Sequence, residues 1–137
     1  MNEIKEETEI EESVSSKSNS NSNYIKDLNF SINTLELGMG DYTTEVINGK
    51  LDAIILESSH PVQVYITFAD KEPEIVLFDS YDLPVTSPLY LPLRVQTIDS
   101  KNRQFTQSSV KWSLNDRIKC HVEGQKHAIV KVTIRYT

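Results

Sequence analysis

From Tyr24 onward, apolar and polar residues alternate with a period of two rather than 3.6, the pattern of half-buried β-strands. Val130, Val132, Ile134 and Tyr136 point one way, with Lys131, Thr133 and Arg135 opposite. Ile118, Cys120 and Val122 repeat the pattern against Lys119, His121 and Glu123, as do Val62, Val64, Ile66 and Phe68 against Gln63, Tyr65 and Thr67. Leu89, Leu91, Leu93 and Val95 alternate with Tyr90, Pro92, Arg94 and Gln96. Leu28-Phe30-Ile32 and Val110-Trp112-Leu114 are shorter candidates. Leu51 to Leu56 and Ile75 to Phe78 are apolar on both faces and read as central strands. No segment carries a helical stripe.

Turn chemistry separates these runs. Asn48-Gly49 predicts a tight hairpin between 42–47 and 50–57, and Asp70-Lys71-Glu72-Pro73 and Ser100-Lys101-Asn102-Arg103 predict two further turns. About eight short strands at this spacing predict an all-β fold, an antiparallel two-sheet β-sandwich of jelly-roll or immunoglobulin-like type. A closed barrel is the alternative. In the last hairpin the shared even-numbered face requires an odd loop. A three-residue loop, Gly124-Gln125-Lys126, places Val122 opposite Ala128 and Cys120 opposite Val130. Cys120 is then inert core packing rather than a nucleophile.

The first 23 residues differ. They carry six glutamates against Lys5 and Lys17, or −4 of the chain's formal −6, and Ser15 to Asn23 contains no apolar residue. Such a segment cannot offset an ordering entropy of about 1–2 kcal/mol per residue. Residues 1–23 therefore read as a flexible, acidic N-terminal arm and tether, with Ile4 and Ile10 as its apolar contacts, and 24–137 as one sandwich domain. With 137 residues the chain fits one domain. No run approaches the roughly 20 apolar residues of a membrane span. No cationic segment leads into an apolar one, so no secretory signal is expected.

Catalytic chemistry is sparse. One cysteine excludes an intramolecular disulfide and a cysteine-cluster zinc site, and four glycines cannot build a phosphate loop. His121 and His127 both project outward in the predicted hairpin, with His127 facing Glu123. That set reads as a solvated face rather than a metal patch. His60, before Pro61, has no evident partner. Asp79 and Asp82 fit turn capping better than calcium binding. Asn29-Phe30-Ser31 matches a glycosylation acceptor by chance. The net negative charge argues against direct nucleic-acid binding. Neither a cofactor nor an enzymatic activity is expected.

The unusual stretch is 80–93, where Pro84, Pro88 and Pro92 fall four residues apart. Proline blocks central-sheet pairing, so this is an extended crossover or edge. It is nevertheless apolar, with Leu83, Val85, Leu89 and Leu91, and it carries Tyr81 and Tyr90. It is either folded over the sandwich end or covered by another subunit. Tyr81, Leu83, Val85, Leu89 and Tyr90, with Ile4 and Ile10, are the candidate interaction residues.

Tyr90-Leu91-Pro92-Leu93-Arg94, then Ile98-Asp99-Ser100-Lys101, then Trp112 to Lys119 follow in an order that resembles the small β-sandwich accessory proteins of tailed-bacteriophage virions. These belong to head and connector components, and the likeness spans about residues 42–137. The resemblance implies a non-enzymatic, oligomeric structural protein of the virion, such as a capsid decoration or head–connector protein. It would dock on other virion subunits through its arm and crossover, with no membrane partner. A second function class is a carbohydrate-binding module using Tyr65, Tyr81, Asp82 and Trp112, although Trp112 is in phase with core positions. A hydrolase finds no nucleophile–base pair.

Overall fold

The computed structural model describes residues 12–18, 24–80, 84–85, 88–95 and 110–137. These form two antiparallel sheets packed face to face. The strands are β1 (Glu12–Ser18), β2 (Tyr24–Asn33), β3 (Met39–Thr43), β4 (Ile47–Ser58), β5 (Val62–Phe68), β6 (Val76–Asp79), β7 (Leu89–Leu91), β8 (Ser113–Asp116), β9 (Ile118–Gly124) and β10 (Ile129–Tyr136). The first sheet has the order β1-β2-β10-β4-β7, with β8 also on β4, and the second has the order β3-β9-β5-β6. The order β2-β10-β4-β7 over β3-β9-β5-β6 is that of a jelly roll rather than an immunoglobulin-like domain or a closed barrel.

The alternating residues sort as expected. Leu28, Phe30 and Ile32, Val62, Val64 and Ile66, Ile118, Cys120 and Val122, and Val130, Val132 and Ile134 are all buried between the sheets. Phe30 meets Tyr42 across the core with ring centroids 4.5 Å apart. Each fully buried aliphatic side chain contributes about 1.5–3 kcal/mol.

Four expectations about connection and position are corrected. Asn48-Gly49 is not a hairpin tip: both residues lie inside β4 and pair with Asn115 and Leu114 of β8. Strands β9 and β10 do not form a hairpin either, because β9 pairs with β3 and β5 while β10 pairs with β2 and β4. Their apolar faces share parity because they face each other across the core, not because they are neighbours in one sheet. Ile75 to Phe78 is no central strand, since β6 is an edge of the second sheet with Val76 exposed. Within the expected tether, residues 12–18 form an edge strand on β2, Glu12 opposite Phe30 through Ser18 opposite Tyr24. A sheet edge offers backbone N–H and C=O groups to any extended chain, so a polar segment can join it without an apolar face. Ile4 and Ile10, the rest of the arm, and the Ser100–Arg103 turn lie outside the described residues.

Buried hydroxyls hold the connections between sheets. Thr34, fully buried, donates to the Gln125 carbonyl at 2.7 Å and accepts from the Ala128 N–H at 2.9 Å. Thr44 accepts from the Ile118 N–H at 3.0 Å, and Ser80 from the Val64 N–H at 2.9 Å.

Candidate interaction surface

The proline-spaced crossover leaves β6 in one sheet and reaches β7 in the other. Midway, Val85 and Val62 exchange backbone hydrogen bonds of 2.7 and 3.3 Å, and Val85 is only 5% exposed. Val85 is thus core of its own domain, not contact surface. Beyond it, Pro88 and Pro92 bracket β7 and limit it to three residues on the edge of β4. The chain after β7 is clamped where the Arg94 guanidinium donates to the Asp52 carbonyl at 2.8 Å.

Register sorts the β7 side chains. Leu89 and Leu91 pair with the buried Leu56 and Ile54, whereas Tyr90 pairs with Ile55 and faces outward. Tyr90 is 56% exposed and Leu89, at the sheet edge, is 37% exposed. Of the seven candidate contact residues these two are on the surface. Tyr81 and Leu83 lie outside the described residues, as do Ile4 and Ile10. The ring of Tyr90 is next to Arg135, whose guanidinium is held in its charged form first by its hydrogen bond to Asp27 and further by Tyr90. Asp27 binds Arg135 Nε at 2.8 Å. The neighbours Thr133 and Arg135 are legible in sequence as outward-facing, whereas Ile55 lies in a run apolar on both faces. Their adjacency to Tyr90 depends on long-range strand pairing that alternation does not encode.

The other groups weighed as sites are dispersed. His121 Nδ1 lies 2.6 Å from Asp41 and its Nε2 3.6 Å from Glu123, whereas His127 pairs with Glu36 at 2.7 Å rather than with Glu123. Among the described residues no three His, Cys, Asp or Glu side chains are grouped to hold a metal. His60 Nδ1 contacts Ser59 Oγ at 3.0 Å. Asp79 is opposite Tyr65 on β6, Asp82 lies outside the described residues, and the Tyr65 hydroxyl donates to Glu74. Trp112 packs edge-on against Phe68 with centroids 5.7 Å apart, half inside the core. No helix among the described residues is long and apolar enough to cross a membrane.

Burial raises the Cys120 thiol from its ordinary 9.0 to about 12, with the Asp41 charge adding to the effect. The thiol should therefore resist iodoacetamide in the native protein at pH 8 and react fully in urea. Its raised value also gives stability that is complete below about pH 9 and lost as pH rises toward 12, because the unfolded chain ionises first. Native labelling at the unfolded rate would contradict this burial. No family model and no curated protein matches the chain.

Proposed function

We propose that the chain is a non-enzymatic structural protein of a tailed-bacteriophage virion, an accessory of the head shell or its connector that docks on neighbouring virion subunits and on its own copies. The observation that carries this reading is the Leu89–Tyr90 step: an exposed leucine and an exposed tyrosine fixed on a short, proline-bracketed edge strand. Tyrosine supplies a large contact area at low entropic cost, and such residues dominate interfaces when a partner excludes water around them. Jelly rolls recur in viral shells, and that likeness of fold supports the reading. A lattice of repeated subunits also suits modest contacts, because high local concentration multiplies each one.

The test is mass spectrometry of gradient-purified particles of the virus that encodes the chain. The protein should be present as a stoichiometric component, with less retained when Leu89→Ser and Tyr90→Ser are combined. Its absence from purified particles would overturn the reading.

A further inference from the structure

The outer faces of the two sheets differ in charge. On the first sheet, cross-strand register places Lys131 beside Glu57 and Arg135 beside Asp27, so the cations and anions of β2, β10 and β4 balance there. Between them runs an uncharged row, Asn29–Thr133–Ile55–Tyr90, crossing four strands. On the second sheet, the corresponding row is Asp41–His121–Tyr65–Asp79, and beside it lie Glu123 and Lys119. Two copies meeting through that second face would set carboxylate against carboxylate.

We propose that the outer face of the first sheet binds a second copy of this chain, sheet against sheet, about a two-fold axis running along the strands between β10 and β4. This deepens the assembly role proposed above and rests on it. The operator lays β10 of one copy over β4 of the other with residue rows matched. Lys131 then meets Glu57 of the second copy, twice by symmetry, and Tyr90 lies over Asn29. A two-fold axis running across the strands instead sets Lys131 over Arg135, like charge on like, and is rejected. Arg135 and Asp27 already neutralise each other within one copy, so covering them strands no charge. An isologous contact of this kind closes at two copies.

Size sets the expected strength. The operator overlays four strands, β2 on β7 and β10 on β4, which at about 4.8 Å spacing and about 25 Å length cover at most about 500 Å² per copy, or about 1,000 Å² in total. That is at the lower limit of specific interfaces, so the dimer should have a Kd of about 10–100 µM and matter chiefly where copies are concentrated.

Sedimentation velocity of the full chain, from about 5 to 500 µM to bracket that Kd, tests the contact. Wild type should show a monomer–dimer equilibrium. Lys131→Glu alone and Glu57→Lys alone should each bind itself at least about tenfold more weakly, because each sets like charges face to face. Mixing the two variants in equal amounts should restore dimerisation, since each contact again joins opposite charges. This rescue acts between molecules, so a fold defect in either variant cannot imitate it. Wild type that stays monomeric throughout, or a mixture that does not recover, overturns the proposed contact. A monomeric chain still found in purified particles would leave the structural role standing, and a chain absent from particles would end that role whatever its sedimentation.

Discussion

Gly49→Ala should destabilise the domain by about 3–5 kcal/mol, which for a chain of this size lowers Tm by about 10–15 °C. Gly49 has φ of +138°, a region that side chains rarely adopt, and a Cβ there would run into the carbonyl oxygen of Thr137. The backbones of Lys50 and Thr137 exchange hydrogen bonds of 2.8 and 2.9 Å beside it. Strain accounts for about 1–3 kcal/mol and loss of the two hydrogen bonds for about 1 kcal/mol each. Asn48→Ala separates this account from a hairpin tip. Asn48 is exposed and opposite Asn115 in a strand, so its loss should cost within about 0.5 kcal/mol. Urea unfolding of both variants measures the contrast, and equal effects at the two positions would refute it.

Gly49 also marks where sequence reading stops. Alternation identified the buried faces of β2, β5, β9 and β10 because burial between two sheets imposes a period of two on each strand separately. It could not identify neighbours. Asn48-Gly49 has the composition of a hairpin, yet this glycine is needed because another strand end passes close to it, a contact 88 residues away in sequence. Cys120 and Val130 point into one core from opposite sheets, and parity cannot tell that from pairing within one sheet. The edge strand β1 gave no alternation to read, because its seven residues hold a single apolar one, Val14. Tyr90 stood out through its flanking prolines. The face around it did not, since Asn29, Thr133 and Ile55 come from three strands far apart in the chain.

Thr34→Val should cost about 2–4 kcal/mol despite its near-identical shape. The buried hydroxyl satisfies two backbone groups on the β9–β10 connection, and the Thr34 N–H also donates to the Ala128 carbonyl at 2.9 Å. A methyl in its place leaves the Ala128 N–H buried without a partner, about 1–3 kcal/mol, and removes the hydrogen bond to Gln125, about 1 kcal/mol. The same network holds Leu35 and His127 at φ of 54° and 57°, joined by a 2.9 Å hydrogen bond from His127 N–H to the Leu35 carbonyl. Each such residue costs about 1–2 kcal/mol to keep left-handed, so losing the threonine anchor releases a strained pair of loops. Thr34→Ser keeps the hydroxyl and should lose only about 1 kcal/mol for its methyl group. Urea unfolding should rank wild type, Ser and Val in that order, and amide exchange at Ala128 should quicken in the valine variant alone. Because the anchor sits where β2 and β10 begin to pair at Ile129 and Asn33, its release frays the end of the face carrying Lys131. The valine variant should therefore also dimerise more weakly than the serine variant, and equal behaviour of the two would show that the hydroxyl does not hold this end of the sheet.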